Sequence, residues 1–185
     1  MHKTLLIIIT GMPGTGKTTL GRTLSEKYHF PLISKDVLKE RMFDTLGWDD
    51  KAWSLKVSAA GHRIMDYVVA EELRTGHSVI VESNFKQAID SERFTKTQAA
   101  YGCDIVQILC WADGETVFER FMARIGTPER HQGHVEAISP EQIREGFVRA
   151  NGRDVPLDIN GTTIELDTTD LDKINYESIY KAIEA

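Results

Sequence analysis

Short apolar runs alternate with amphipathic segments along the whole chain. Five runs are apolar and rich in β-branched residues, which predicts buried strands at 5–10, 30–33, 78–81, 104–111 and 162–166. The segments between them repeat apolar residues every three or four positions, which predicts helices at 18–28, 35–46, 54–75, 90–101, after Asp113, at 139–150 and around 176–183. Strands that alternate with helices predict a parallel sheet with right-handed crossovers and helices on both faces.

Polar segments follow four of the predicted strands at the point where each strand ends. These segments are 11–18, 34–36, 82–85 and 167–169. In open parallel α/β sheets, ligands bind at the carboxyl ends of the strands. The pattern therefore predicts one site at this edge of the sheet, to which all four segments contribute.

The first of these segments, GMPGTGKT, matches the phosphate-binding pattern G-x4-G-K-[ST] in full. Its glycines allow backbone N–H groups to face inward, and the N-terminus of the following helix favours negative charge. Lys17 is placed to reach the β- and γ-phosphates of a nucleotide, and Thr18 is placed to bind Mg²⁺. We therefore expect residues 11–19 to hold a nucleoside triphosphate and its metal ion.

The composition is that of a globular chain with one core. The chain has 185 residues, 41% of them hydrophobic, which predicts a single domain over 1–185 with a small helical lid. Its net charge of −6 gives no general attraction for nucleic acid or anionic membranes. Cys103 and Cys110 lack the spacing of a zinc site or a disulfide framework, and the apolar run near the N-terminus is too short to cross a bilayer. We expect a cytoplasmic protein, and no pattern indicates its oligomeric state.

Other classes of P-loop protein lack support in the sequence. A GTPase needs a base-reading NKxD element and an ABC ATPase needs an LSGGQ-like signature, and the chain contains neither. A ring-forming ATPase normally needs a longer chain with a helical lid domain. A small phosphotransferase is therefore the best interpretation.

Four stretches carry a resemblance to a known family over nearly the whole chain: GMPGTGKTT, SKDVLKE, VIVESNF and RFMARIGTPERHQGH. The sequence resembles P-loop kinase-like ATP-binding proteins of the adenylate-kinase-like group, close to polynucleotide kinase, chloramphenicol phosphotransferase and zeta-toxin-type kinases. The resemblance implies a three-layer α/β/α fold with a five-stranded parallel sheet of order 2-3-1-4-5. It also implies ATP as the donor, Mg²⁺ as its metal, and a lid at about 120–138.

The segment after the second strand corresponds to the acceptor side in this group. The resemblance implies that Asp36 is the general base that acts on the acceptor hydroxyl, while an ordinary helix cap at Ser34 or Asp36 is the alternative. The polynucleotide-kinase pattern has Arg three residues after this acid. Lys39 stands at that position here, with Arg41 nearby, which argues against a nucleic-acid end as the acceptor.

The end of the third strand offers a second acid. Glu82 follows an apolar run, as does the acid that binds Mg²⁺ through water in related proteins, although Asp is more usual there. Contact with the acceptor, together with Asn84, is one alternative for Glu82, and a purely structural role is another.

The stretch RFMARIGTPERHQGH corresponds to the lid of the family. Arg120 and Arg124 lie one turn apart on a helix, and Arg130 follows across a Gly- and Pro-containing stretch. Guanidinium groups keep their charge and present a planar fork to phosphate oxygens, so the resemblance implies that these arginines close over the transferred group. His131 and His134 lack a nearby third metal ligand, so we expect them to order the lid or contact substrate.

Two further segments border the predicted site. The loop after the fifth strand lies against adenine in related kinases, which makes Thr168 and Thr169 candidates for that contact. The long helical segment at 49–76 would shape the acceptor pocket, and Trp48 and Trp53 near its start are more often packing residues than stacking platforms.

The leading hypothesis is an ATP- and Mg²⁺-dependent kinase that transfers the γ-phosphoryl group to a hydroxyl of a small molecule. A weak ATPase or nucleotide switch without an acceptor, and a nucleic-acid 5′-end kinase, are the alternatives. Neither nucleic acid nor a membrane is expected as a partner, and no motif identifies the acceptor. The expected catalytic residues are Lys17, Asp36 and Arg124; the expected nucleotide contacts are Gly11, Met12, Pro13, Gly14, Thr15, Gly16, Lys17, Thr18, Thr19, Arg120, Arg124, Arg130, Thr168 and Thr169; the expected substrate contacts are Asp36, Lys39, Arg41, Glu82 and Asn84; the expected metal ligands are Thr18 and Glu82.

Overall fold

A five-stranded parallel sheet forms the centre of the protein in the computed structural model, which describes residues 4–135 and 138–185. Its strands are β1 (Leu5–Thr10), β2 (Leu32–Ser34), β3 (Val79–Glu82), β4 (Asp104–Trp111) and β5 (Thr162–Asp167). They lie in the order β2-β3-β1-β4-β5, and every neighbouring pair is parallel. The predicted fold class and strand order are therefore confirmed.

Seven α-helices cover the sheet in the described part of the chain. They are α1 (Lys17–Tyr28), α2 (Lys35–Leu46), α3 (Lys51–Arg74), α4 (Gln87–Tyr101), α5 (Gly114–Arg124), α6 (Pro140–Arg149) and α7 (Glu177–Glu184). A short 3₁₀ helix, Leu171–Lys173, precedes α7. None of the described helices combines the length and the apolar character that a membrane crossing needs.

The alternation of side chains along β1 divides the core into two layers. Leu6 and Ile8 pack with residues of α3 and α4 on one face of the sheet. Ile7 and Ile9 point to the opposite face and pack with residues of α1 and α7. All four side chains are fully buried, because a parallel sheet that carries helices on both faces excludes water from both.

Three elements differ from the prediction by more than one residue, and a side-chain cap explains one of these differences. α3 begins three residues earlier than predicted because the Asp50 carboxylate accepts a 2.8 Å hydrogen bond from the Trp53 backbone N–H. α4 also begins three residues early, and Asp90 lies within its first turn, where it accepts from the Lys86 N–H at 2.6 Å. β2 occupies 32–34 instead of 30–33, since these residues pair with β3.

The parallel strands bring their carboxyl ends to one edge of the sheet. The glycine-rich loop follows β1, Ser34 and Lys35 join β2 to α2, and Glu82 ends β3. α5 and α6 pack against each other after β4 and border the same edge. This arrangement brings three of the four segments that the sequence predicts for the site together with α5 and α6.

Candidate active site

The loop after β1 has the backbone conformation of a phosphate cradle. Gly11 has φ +139°, and a Cβ at this position would lie 2.1 Å from the carbonyl oxygen of Cys110, so only glycine fits there. Gly16, with φ +77°, forms the N-cap of α1 and supplies no side-chain cap. The first N–H groups of α1 therefore lack the usual side-chain acceptor and can donate to an anion.

Lys17 is buried within this loop. Its Nζ donates a 2.8 Å hydrogen bond to the carbonyl oxygen of Met12 at the start of the loop. Burial lowers the pKa of Lys17, and the nearby Glu82 carboxylate opposes that shift. The ammonium is thus held inside the loop, and its contact with phosphate stays a prediction of the sequence motif.

One oxygen of Glu82 joins the donor side of the site to the acceptor side. Glu82 Oε2 accepts hydrogen bonds from Thr18 Oγ1 at 3.1 Å and from Ser34 Oγ at 2.7 Å, and the residue is 3% exposed. Hard oxygen atoms from a hydroxyl and a carboxylate suit Mg²⁺, which normally takes few protein ligands and completes its shell with water and phosphate. Thr18 and Glu82 therefore fit the metal role predicted for them.

Asp36 lies in the first turn of α2 beside a fixed cation. Lys35 Nζ donates to Asp36 Oδ1 at 2.5 Å, and the Lys35 side chain is 10% exposed whereas that of Asp36 is 52% exposed. Partial enclosure raises the pKa of Asp36, but the Lys35 charge and hydrogen bond outweigh it and lower the pKa to about 2. Asp36 is consequently a carboxylate at neutral pH.

A cavity of about 560 Å³ connects the phosphate cradle with α2, the start of α3, α5 and α6. Gly11 and Thr15 do not line it, and Thr15 is fully buried. Most of the residues predicted for the site do line it: Met12, Pro13, Gly14, Gly16, Lys17, Thr18, Thr19, Asp36, Lys39, Glu82, Asn84, Arg124 and Arg130.

Arg124 at the end of α5 and Arg130, six residues further along the chain, bring two guanidinium groups to this cavity. Arg124 Nε is buried and has no hydrogen-bond partner within the described ranges. Burial lowers the pKa of Arg124, and the neighbouring Arg130 charge adds to that shift. Arg130 places its guanidinium 4.9 Å from the centre of the Phe121 ring. Buried donors are normally satisfied, so Arg124 is a candidate for binding an oxygen atom from outside the chain.

Besides Gly11 and Thr15, four residues predicted for the site lie outside the cavity lining: Arg41, Arg120, Thr168 and Thr169. Arg41 pairs with Asp44 at 3.2 Å, and its side chain is 79% exposed. Arg120 donates to the backbone oxygens of Thr168 and Thr169 at 2.8 and 3.0 Å, which fixes the loop after β5 to α5.

That loop nevertheless lies close to the cradle. The Thr168 hydroxyl is within 3.1 Å of the Thr15 carbonyl oxygen and within 3.0 Å of that of Trp111. The Thr169 hydroxyl accepts from the backbone N–H of Asp113 at 3.1 Å. These contacts hold the loop after β5 against the loop after β1. They do not involve a nucleotide, so the contact of Thr168 and Thr169 with adenine stays a prediction.

Residues 127–135, here called the docked segment, contact α2 through two histidines. His134 Nε2 lies 2.9 Å from Glu40 Oε1, and His131 Nε2 lies 3.5 Å from Asp44 Oδ1. The Phe43 ring stacks on His131 at a centroid distance of 5.2 Å and meets His134 edge-on at 5.9 Å. Of the predicted lid at 120–138, residues 136 and 137 lie outside the described residues.

The docked segment also contacts the start of α3. Ser54 Oγ donates to the Gly133 carbonyl oxygen at 2.9 Å, and Lys51 Nζ donates to that of Val135 at 3.0 Å. A Cβ at Gly133 would lie 2.5 Å from the Phe43 ring, so only glycine permits this approach. The segment therefore forms one wall of the cavity.

Several residues of the cavity were not predicted from the sequence. Lys35, Lys51 and Ser54 line it from α2 and α3, and Ile143 and Phe147 line it from α6. The spacing of Ile143 and Phe147 is a signal for one helix face, but it does not say what that face borders. Nothing in the local sequence distinguishes Lys35 or Lys51 from surface lysines.

The model of the AAA_33 family, described as an AAA domain, matches residues 6–148 of the chain. The chain belongs to this family. The AAA_33 match covers β1 to β4 and most of α6, and therefore includes the cradle, Asp36, Glu82 and Arg124. No curated protein sequence matches the chain.

Solved structures agree with the AAA_33 assignment. A protein from Chloroflexus aurantiacus J-10-fl, provisionally assigned as a kinase, is 38% identical with a TM-score of 0.91, over 99% of this chain and 98% of that one. A gluconokinase from Sinorhizobium meliloti 1021 shares the fold at 16% identity and a TM-score of 0.51, over 99% of this chain and 91% of that one. A chain of the Pnkp1/Rnl/Hen1 RNA repair complex also shares the fold, at 16% identity and a TM-score of 0.56, over 84% of this chain and 49% of that one. The protein thus has the fold of P-loop kinases.

Proposed function

We propose that the protein is an ATP- and Mg²⁺-dependent kinase that transfers the γ-phosphoryl group to a hydroxyl of a small molecule. One observation carries the proposal: Lys17, Asp36 and Arg124 line the same cavity. A cradle for the donor phosphates, a carboxylate for the acceptor hydroxyl and a guanidinium for the transferred group are the parts that phosphoryl transfer needs.

The chain's residues have distinct roles in this reaction. Lys17 and the N–H groups at the start of α1 bind the donor phosphates, and Thr18 and Glu82 hold Mg²⁺. When bound, Mg²⁺ neutralises charge on the β- and γ-phosphate oxygens. Arg124 stabilises the charge of the phosphoryl group as the bond between the γ-phosphorus and the bridging oxygen breaks and ADP leaves.

Asp36 receives the proton of the acceptor hydroxyl while the new oxygen–phosphorus bond forms. A carboxylate whose pKa is about 2 is a weak base, so the proton moves late, once the hydroxyl oxygen has begun to bond to phosphorus. The loose transition state of phosphoryl transfer needs little deprotonation early on. Orientation of the hydroxyl is therefore the larger part of the role of Asp36.

The test is transfer of labelled γ-phosphate from ATP to a panel of hydroxyl-bearing metabolites, antibiotics and 5′-hydroxyl oligonucleotides. We expect a labelled small-molecule product, and we expect Asp36→Asn to reduce its formation by about 10²- to 10⁴-fold with ATP affinity unchanged. Asp49→Asn, a change at an exposed residue outside the cavity lining, is the matched control.

Three outcomes would contradict the proposal. Release of labelled phosphate without any labelled product would identify an ATPase or switch. Label on oligonucleotides alone would identify a nucleic-acid end kinase. Unchanged transfer in Asp36→Asn would remove Asp36 from its role.

A further inference from the structure

The cavity is more cationic than nucleotide binding alone requires. Six cationic side chains and two carboxylates line it among the described residues, although the whole chain carries a net charge of −6. Lys17 belongs to the phosphate side, Arg130 lies near Phe121 of α5 and acts on the charge of Arg124, and Lys35 is paired with Asp36. Lys39 and Lys51 are left on the side formed by α2 and α3.

Lys39 stands beside the carboxylate that faces the acceptor. It follows Asp36 by three residues on α2, and residues three apart on a helix are neighbours on its surface. Both side chains line the cavity. A group bound by Lys39 would therefore be part of the molecule whose hydroxyl meets Asp36.

The Lys39 ammonium is buried without a direct hydrogen bond or ion pair among the described residues. The residue is 7% exposed, and no hydrogen bond or ion pair to its Nζ exists within residues 4–135 and 138–185. Nζ lies 5.3 Å from the centre of the Phe43 ring, and the Asp36 carboxylate is close enough to offset part of the lowering of the Lys39 pKa. A buried charge is normally paired. A buried ammonium that lines a cavity and has no direct partner therefore points to an anion from outside the chain.

Lys51 can assist at the same end of the cavity. Its Nζ donates one hydrogen bond, to the carbonyl oxygen of Val135, and an ammonium group has three donors. Its charge, like that of Lys35, lowers the pKa of Lys39, although burial is the largest cause of that shift to about 8. The ammonium groups of Lys39 and Lys51 therefore repel each other, and an anion that contacts both would relieve this repulsion.

We propose that the acceptor carries, besides the hydroxyl that is phosphorylated, a carboxylate or a phosphate monoester that Lys39 binds with the help of Lys51. This proposal rests on the proposed function, since it concerns the acceptor of that reaction. The cavity volume of about 560 Å³ lies within the range of small-molecule sites, and the docked segment closes one of its sides. The acceptor is consequently a small hydroxylated anion.

Binding measured by calorimetry tests this proposal without any need for turnover. The protein is saturated with Mg²⁺ and adenylyl imidodiphosphate, which occupies the phosphate side and does not transfer its phosphoryl group. Matched probes are then titrated: D-gluconate against D-glucitol, D-glycerate against glycerol, and glycerol 3-phosphate against glycerol. We expect at least one anion to bind ten or more times more tightly than its neutral counterpart, and the probe that binds distinguishes a carboxylate from a phosphate.

Variants connect the binding to Lys39. We expect Lys39→Met to abolish the preference for the anion and Lys39→Arg to retain most of it. Lys56→Met is the matched control, because Lys56 is exposed on α3 and does not line the cavity. Affinity for adenylyl imidodiphosphate should stay within about twofold in all three variants, and this measurement also shows that each variant is folded.

Several results of these binding experiments would overturn the proposal. It fails if no anion binds, if neutral probes bind equally well, or if anion binding survives Lys39→Met. Weaker binding of the nucleotide analogue in Lys39→Met would place Lys39 on the donor phosphates instead. An anion that binds through Lys39 but never receives label would contradict the kinase function and leave the anion site established, so the two failures are distinguishable.

Discussion

The Lys35 ammonium donates a 2.5 Å hydrogen bond to the carboxylate of its chain neighbour, Asp36. Lys35 is the more buried of the two, so the cation approaches the carboxylate from the protein side and leaves its other face open to the cavity. A fixed cation in this position both orients the acid and keeps it ionised. In the proposed reaction, Asp36 would contact the acceptor while Lys35 keeps the Asp36 carboxylate in position.

Removal of Lys35 should make Asp36 a more ordinary acid. We expect Lys35→Met to raise the pKa of Asp36 from about 2 toward its usual 3.8, because the largest lowering influence is gone. The measurement is a carboxyl-carbon NMR titration, with the Asp36 signal identified by its loss in Asp36→Asn. Lys35→Arg should retain a low value, and a midpoint that stays near 2 in Lys35→Met would contradict this account.

The same pair predicts a dependence of stability on pH. Because folding lowers the pKa of Asp36, its stabilising contribution is present above pH 3.8 and is lost as the pH falls toward 2. The free energy of unfolding of Asp36→Asn should therefore fall below that of the wild type at pH 5 and approach it near pH 2. Urea unfolding at both pH values measures this difference, and a constant difference would exclude the pair as its cause.

The Ser34 hydroxyl should tune metal binding through Glu82. Without its 2.7 Å hydrogen bond, the Glu82 carboxylate keeps the hydrogen bond from Thr18 and loses part of its fixed orientation. We expect Ser34→Ala to weaken Mn²⁺ binding by about tenfold in the presence of ATP, as measured by electron paramagnetic resonance. Ser178→Ala on α7 is the control, and equal Mn²⁺ affinity in the two variants would show that Ser34 does not support the metal site.

Gly133 should decide whether the docked segment can seat on α2. The added methyl group of Gly133→Ala would clash with the Phe43 ring, which is 1% exposed and has no room to move. We expect a loss of about 1–3 kcal/mol in the free energy of unfolding and faster proteolysis between residues 127 and 135. The double variant Gly133→Ala with Phe43→Leu should recover part of the lost free energy of unfolding and part of the resistance to proteolysis. No recovery would mean that the Phe43 contact is not the cause.

Lys39 should destabilise the free protein at neutral pH. Folding lowers its pKa from 10.5 to about 8, so the unfolded chain binds more protons and stability rises between these two values of pH. Lys39→Met should therefore raise the free energy of unfolding at pH 7, by up to about 3 kcal/mol, and this gain should disappear near pH 10.5. Chemical denaturation of the wild type, Lys39→Met and Lys56→Met at both pH values measures this difference in the free energy of unfolding. An equal gain at pH 7 and pH 10.5 would show that the charge of Lys39 is not its cause.

The sequence predicts the donor side of the site far better than the acceptor side. The cradle follows from local rules, since a buried strand, a loop that needs glycine and a helix N-terminus are adjacent in the chain. The wall formed by the docked segment joins Gly133 to Phe43 and Ser54, which are about eighty to ninety positions away in sequence, and no local pattern encodes such a contact.

Two lysines of α2 illustrate the same limit. Lys35 and Lys39 look like solvated residues in an amphipathic helix, and only the packing of α2 against α3 and the docked segment buries them. Arg120 is the opposite case: its helical spacing from Arg124 predicted a shared role, but a shift of one turn takes it to the backbone of residues 168 and 169.

The shared oxygen of Glu82 has a consequence for how the two substrates depend on each other. Thr18 lies in the first turn of α1, beside the phosphate cradle, and Ser34 lies two residues before Asp36. The Glu82 carboxylate therefore restrains both halves of the cavity at once. Any ligand that reorients Glu82 changes the free energy of binding on the other side, and linkage requires the effect to be equal in both directions. The affinities for nucleotide and acceptor should therefore change by the same factor in both directions, and each should be defined only for a stated concentration of the other ligand.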